Sequence, residues 1–254
     1  MVIDIPQIVL LLFIEREYLG FCMLPPLIIS HIPKTGGTSL GNLVRELSPD
    51  VSLVYEGQLQ LGNPNLDFIL NFRATLLPSV VMGHFSHGIH RLLGIPPRYV
   101  TVLREPLKRI VSLYRHQQRL ENSSFAEILR SGATLRDFVA SGITEMTNNH
   151  MCRVIAGIAP ETGKINEDWL LGLALHNLKH HYVAVGVQED LPAVTARIGN
   201  MLNWPAYVIP TDNMSNNPEP EIDPATHAVL VADNALDMQL YDHVRKHTAS
   251  YLDC

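Results

Sequence analysis

Lys34, Thr35, Gly36, Gly37, Thr38 and Ser39 stand consecutively in a chain of 254 residues, and their types and order suit an anion cradle. Adjacent glycines permit backbone geometries that aim successive N–H groups at one ligand. A helix that starts at Thr38 or Ser39 adds the positive end of its dipole. Lys34 adds a full charge, and the hydroxyls of Thr35, Thr38 and Ser39 add donors. The natural guest is a phosphate-like group. The order is not that of the G-x-x-x-x-G-K-[ST] loop, in which the lysine follows the glycines, so an ordinary nucleoside triphosphatase is disfavoured. Residues 37–41 (GTSLG) also match G-x-S-x-G, the nucleophile elbow of serine hydrolases. That elbow needs its serine at the turn directly after a strand, whereas about seven residues separate Ser39 from the strand before it. A serine hydrolase using Ser39 is therefore the lesser alternative.

A second constellation lies in residues 99–115 (YVTVLREPLKRIVSLYR). Arg104 falls at a strand end and Ser112 about two helical turns further on. A guanidinium and a hydroxyl on adjoining elements can clamp a second phosphate. A third feature is His84, which follows Gly83 at the end of the apolar run 79–84 (SVVMGH). With His87 and His90 it forms H-x-x-H-x-x-H. No cysteine or carboxylate completes a site, and two spacings of three suit neither a strand face nor a zinc pattern, so no metal is expected.

The elements that must position these residues read as alternating strands and helices. Residues 27–31 (LIISH), 79–84, 99–104 and 182–187 (YVAVGV) are apolar runs of the kind found in buried parallel strands. Residues 51–55 and 206–209 are shorter strand candidates. Helical spacing follows the glycine turn, resumes after Pro106 to about Leu120, and recurs in 123–131, 134–142, 147–157, 166–180 and from Leu191 to about Leu202. Two helices that break near Asp233 and Asn234 close the chain. This alternation predicts a three-layer α/β domain with a central, mostly parallel sheet flanked by helices. Ligands of such sheets bind at the carboxyl ends of the strands, where Lys34, His84 and Arg104 all fall. Residues 1–26 read as an N-terminal extension and 27–254 as a single domain. The apolar stretch 5–14 (IPQIVLLLFI) is too short to span a bilayer and lacks the basic flank of a secretory signal, so no stable membrane insertion is expected.

Composition narrows the function classes. Apolar residues make up 46% of the chain and charged residues 17%, which permits a sizeable core and argues against global disorder. The net charge of −6 disfavours nucleic acid as a partner. Between Arg91 and Arg136, however, nine Lys and Arg residues face three Glu, a basic island suited to a local anion site. Three cysteines without a C-x-x-C fit a reducing cytosol.

Together the segments 32–39 (IPKTGGTS) and 104–114 (REPLKRIVSLY) resemble the PAPS-dependent sulfotransferases, whose donor is 3′-phosphoadenosine 5′-phosphosulfate. The first is similar to that family's 5′-phosphosulfate loop and the second to its 3′-phosphate motif. The nearest branch is that of the heparan sulfate and uronyl 2-O-sulfotransferases and their bacterial relatives. Met82-Gly83-His84-Phe85, Asn149 with Arg153, Val185-Gly186 with Glu189, and residues 234–241 (NALDMQLY) resemble further motifs of that branch. Its members carry a second histidine where Met82 stands here, and the Golgi members carry an anchor that is not read in this sequence.

The resemblance implies a P-loop-like fold, a carbohydrate O-sulfotransferase activity and no metal. It implies that Lys34, Thr35, Gly36, Gly37, Thr38 and Ser39 hold the 5′-phosphosulfate and that Arg104 and Ser112 hold the 3′-phosphate, with 3′,5′-ADP (PAP) as product. Lys34 and His84 are the catalytic candidates. The lysine would neutralise the departing phosphate, and an imidazole with an ordinary pKa near 6.5 suits proton abstraction near neutrality. His87 and Glu56 are the reserve bases. The loop around Asn213, Ser215 and Asn216 is a candidate cover for the nucleotide. From Met201 onward eight acids face two bases, which favours a neutral or lightly charged glycan, glycolipid or small metabolite as acceptor. A cytoplasmic setting is expected. A PAP-binding protein of the same fold without turnover is the main alternative.

Overall fold

In a computed structural model of the chain, residues 24–54, 59–60, 63–64, 78–120, 129, 131–142, 144–158, 163–208 and 222–252 are described. Strand β1 (Leu27–Ser30) is wholly buried and leads through the glycine turn into helix α1 (Gly37–Leu47). Short strands β2 (Ser52–Val54), β3 (Leu59–Gln60) and β4 (Asn63–Pro64) follow, the last two paired as a small antiparallel ladder. Then come β5 (Val80–Gly83), α2 (Ile89–Leu93), β6 (Tyr99–Leu103) and α3 (Pro106–Arg119). Helices α4 (Leu135–Ala140), α5 (His150–Ala156) and α6 (Asp168–His181) precede β7 (Tyr182–Val187). Helices α7 (Leu191–Leu202), α8 (Pro224–Asp233) and α9 (Ala235–Leu252) complete the described chain.

The main sheet has the order β2-β5-β1-β6-β7, and every neighbouring pair runs parallel. Strand side chains alternate between the two faces. Leu27, Ile29, Val80, Met82, Val100 and Val102 point to one face, where Leu40 and Val44 of α1 and Val194 and Ile198 of α7 cover them. Ile28, Val81, Tyr99 and Val185 point to the other face, against Met151 of α5, Leu170 of α6 and Leu240 of α9. A satellite core of Leu107, Ile110, Phe138 and Leu230 joins α3, α4 and α8. The three-layer, mostly parallel α/β architecture expected from the sequence is thus present.

Two details differ from the sequence expectation or escape it. Ala206, Tyr207 and Val208 form no strand, and Val208 is 87% exposed. Asn203 ends α7 in the left-handed conformation, and the Trp204 and Tyr207 rings then meet edge to face at 5.6 Å beside Gly199. Those aromatic side chains pack back on α7 instead of extending the sheet. Most of the helix expected over 123–131 lies outside the described residues, as do Ile209, Glu56, Asn213, Ser215 and Asn216.

Candidate functional site

The site is assembled at the carboxyl ends of three neighbouring strands. At the end of β1 the chain makes a tight turn in which Lys34 has a φ of 73° and Gly36 a φ of 94°. The glycine adopts this left-handed geometry freely, while the lysine is held in it against its intrinsic preference. The buried Thr35 hydroxyl donates to Ile32 O at 2.8 Å and closes the turn from inside. Gly36 is the N-cap of α1, with no side chain capping the helix and no acidic residue in its first turn. The N–H groups of this turn and the dipole end of α1 therefore suit an anion. Thr38 is exposed and Ser39 partly buried, both in the first turn of α1. Ser39 thus lies inside the helix and not on a strand-to-helix elbow.

The two phosphate-type segments meet directly. Arg104, one residue past β6, donates from Nη1 to Lys34 O at 3.1 Å. Glu105 caps α3 by accepting from Leu107 N–H and Lys108 N–H at 3.2 and 2.7 Å, which fixes the helix start beside Arg104. Ser112 lies partly buried on that helix. Burial first, then the charges of Arg104 and Arg119, push the Lys34 ammonium below its ordinary pKa. Three cations that raise one another's potential in this way suit a polyanion.

His84 sits at the end of β5, on the strand adjacent to β1. The β1–β5 register pairs Ser30 with Gly83, and His31 N–H continues it by donating to Gly83 O at 2.9 Å. His31 and His84 are therefore neighbours, with ring centroids 4.7 Å apart and planes inclined by 53°. Burial above all, then His84 and the Lys34 charge, lower the His31 pKa to about 3, so this imidazole is neutral. Ser30 Oγ donates to Phe85 O at 2.8 Å, and Thr101 Oγ1, midway along β6, donates to Ser30 O at 2.9 Å, tying the end of β1 to both of its neighbours. His150, buried at the start of α5, feels the charges of Arg109 and Arg153 and also His84; burial and these charges hold it well below the usual histidine range.

His87 occupies a different setting. Its Nε2 lies 2.9 Å from His181 Nδ1, the two rings stack at 4.9 Å, and burial with the His181, His90 and Arg91 charges lowers its pKa to about 3. His90 Nδ1 is engaged by the Tyr99 hydroxyl at 2.9 Å. The three histidines of H-x-x-H-x-x-H thus split between the strand end and a corner formed by α2, β6 and the end of α6. Among the described residues no group of three or more His, Cys, Asp or Glu is arranged to hold a metal ion.

The remaining motif residues brace this centre. Gln188, just after β7, lies against Gly36, with its Cγ and Nε2 each 3.5 Å from where a Cβ on residue 36 would be. Its neighbour Glu189 accepts a hydrogen bond from the Tyr241 hydroxyl; burial and the Glu189 charge raise that phenol to about 12. Arg109 is completely buried. Its Nη2 donates to Met146 O, while burial outweighs the Asp237 charge and lowers its pKa to about 10.

Of the residues proposed from sequence, the structure gathers Lys34, Thr35, Gly36, Gly37, Thr38, Ser39, Arg104 and His84 at adjoining strand ends and sets Ser112 on the helix that Arg104 leads into. Sequence reasoning misses His31, Gln188 and His150. The signal that could have found His31 is its position at a strand end, three residues before Lys34.

No family model matches the chain. Heparan sulfate 2-O-sulfotransferase 1 of Pongo abelii and of Homo sapiens are each 25% identical over 188 residues, and that of Xenopus laevis is 26% identical over the same length. Each alignment covers 65% of this chain and 51% of the relative, so the chain spans about half the length of the curated relatives it matches. The chain is a distant relative of these sulfotransferases.

Proposed function

We propose that the protein transfers a sulfuryl group from PAPS to a hydroxyl of a glycan or another hydroxylated acceptor. The observation that carries this reading is the Arg104 guanidinium bound to the Lys34 carbonyl, which fuses two separate phosphate-type segments into one anion site one strand away from His84. The donor set fits PAPS. It offers turn N–H groups, a helix N-terminus without an acidic first turn, three cations and several hydroxyls to a nucleotide with phosphates at both ends. When bound, PAPS supplies an activated sulfuryl group whose transfer breaks the sulfur–oxygen bond to the 5′-phosphate and leaves PAP.

In this reading the glycine turn and the α1 N-terminus hold the 5′ end, and Arg104 with Ser112 holds the 3′-phosphate. Lys34 neutralises the negative charge that develops on the departing phosphate oxygen. Such preorganised charge is commonly the largest catalytic contribution. His84 accepts the proton of the acceptor hydroxyl, whose oxygen forms the new bond to sulfur. The names of the relatives favour a glycan among hydroxylated acceptors. Among the described residues no helix is long and apolar enough to cross a membrane.

Calorimetry with PAP and transfer of labelled sulfate from PAPS to a panel of glycans and small hydroxylated acceptors test the reading. PAP should bind, and both Lys34→Ala and His84→Ala should lower transfer by about a hundredfold or more. His84→Ala should retain PAP affinity. PAP binding without transfer to any acceptor would point to a nucleotide-binding protein instead, and absence of PAP binding would overturn the reading altogether.

A further inference from the structure

We propose that His31 is a positioning residue that ties the setting of His84 to the anion loop; this rests on the reading of His84 as the base. Two independent contacts carry it. On one side the β1–β5 register delivers His31 to His84, with ring centroids 4.7 Å apart. On the other side the His31 ring fills the space over Gly37. A Cβ on residue 37 would lie 1.6 Å from Nε2, 2.0 Å from Cδ2 and 2.2 Å from Cε1 of His31. Gly37 is the first residue of α1, so the imidazole is wedged between the element that meets the anion and the group that meets the acceptor.

The wedge is stiff on both faces. His31 N–H is fixed to Gly83 O at 2.9 Å, and Gly37 is itself buried. Through these contacts any shift of Gly37 is passed to the His31 ring, and from the ring to His84. Close-packed interiors transmit such small shifts because they have little room to absorb them. The role is orientational. With a pKa lowered to about 3 by burial, His84 and Lys34, His31 stays neutral near neutral pH and does not compete for the acceptor proton. An alignment error of about 1 Å at a reacting group can cost about a hundredfold in rate, so a side chain that fixes His84 against the loop has a large effect without touching either substrate.

The test uses the whole chain, with PAP as ligand and labelled PAPS with an accepted glycan for turnover. His31→Ala should bind PAP within about threefold of the unsubstituted protein while kcat falls by about tenfold or more. Addition of PAP should move the imidazole NMR signals of His84 in the unsubstituted protein and leave them in place in His31→Ala. His31→Asn, planar and without a titratable nitrogen, should recover part of kcat. His31→Ala combined with His84→Ala should be no slower than His84→Ala alone, since the first acts through the second. Equal losses of PAP affinity and kcat in His31→Ala, an unchanged His84 response to PAP, or additive losses in the double variant would overturn the role of His31. Failure of the unsubstituted protein to bind PAP would instead overturn the donor reading on which it rests. Should His31→Ala fail to fold, His31→Ser, which likewise vacates the space over Gly37, is measured in its place, and the same outcomes decide.

Discussion

Gly37 shows how narrowly the site is specified at the scale of one residue. Its φ is not in the left-handed region, so a larger side chain would be tolerated by the backbone alone. Space forbids it: the His31 imidazole lies where the first side-chain atom would go. Gly36 has the opposite requirement. A methyl group there would meet only ordinary contacts, but the φ of 94° disfavours any other residue. Gly37→Ala should therefore displace His31 or shift the start of α1, costing about 1–3 kcal/mol of stability through overpacking and most of the PAP affinity. Urea unfolding and PAP calorimetry on the same variant check this; unchanged values in both would mean that His31 has another resting place. The combined variant Gly37→Ala with His31→Ala should regain part of the stability, because the collision is removed with the ring.

At the scale of elements, α5 and α9 cap each other. Asn149, in the left-handed conformation at φ 45°, accepts through Oδ1 from Leu236 N–H at 3.0 Å and Asp237 N–H at 3.2 Å, at the start of α9. Asp237 does the same at the start of α5, accepting from Met151 N–H at 3.0 Å and Cys152 N–H at 2.8 Å. Asn234 completes the knot, accepting from Asn149 N–H at 3.2 Å and donating to Thr147 O and Leu230 O at 2.9 and 3.0 Å. Asp237 also supplies negative charge near the fully buried Arg109. Asp237→Ala should destabilise the protein by about 1–3 kcal/mol for each of the two buried N–H groups, of Met151 and Cys152, that it strands. Asn149→Ala should cost about 1–3 kcal/mol for the buried donors it strands. Chemical denaturation of both variants and of the double variant tests the shared origin, since the double should lose less than the sum. In the sequence, Asn149, Arg153, Asn234 and Asp237 are legible only as resemblances to known motifs. Their mutual capping is not, because the partners are more than eighty residues apart, and no local period records a long-range hydrogen bond. Strand identity, by contrast, is legible from apolar runs, and so are the ends at which Lys34, His84 and Arg104 fall. The His31–His84 pairing needs the β1–β5 register, which apolar runs do not encode.

The whole molecule carries a net charge of −6, yet its interior gathers histidines that burial keeps neutral. His31 at the loop and His87 in the α2–α6 corner are lowered to about 3, His90 to about 4, and His150 lies well below the usual range at the start of α5. In each, burial is the leading cause and neighbouring positive or imidazole groups add to it. The direction sets the sign of the pH effect. An unfolded histidine binds its proton near pH 6.5, whereas these bind theirs in the folded state only near 3–4. Their contribution is thus fully present above about pH 6.5 and is lost as pH falls through 6.5 toward 4, because the unfolded chain takes up the protons first. At pH 5 each well-buried member should have withdrawn about 1–2 kcal/mol, with solvent screening of the less enclosed rings holding it to the lower end. The losses share one sign, so unfolding should move to markedly lower urea between pH 7 and pH 5 with an unchanged slope, while the His87–His90 pair, with ring centroids 5.3 Å apart, should lose less than twice a single ring. PAP should raise the midpoint at each pH, since a ligand that binds only the folded state stabilises it by RT times the logarithm of one plus its concentration over Kd. Urea titrations at pH 7, 6 and 5, with and without PAP, measure both effects; a midpoint that does not move between pH 7 and 5 would show that these histidines titrate normally in the fold.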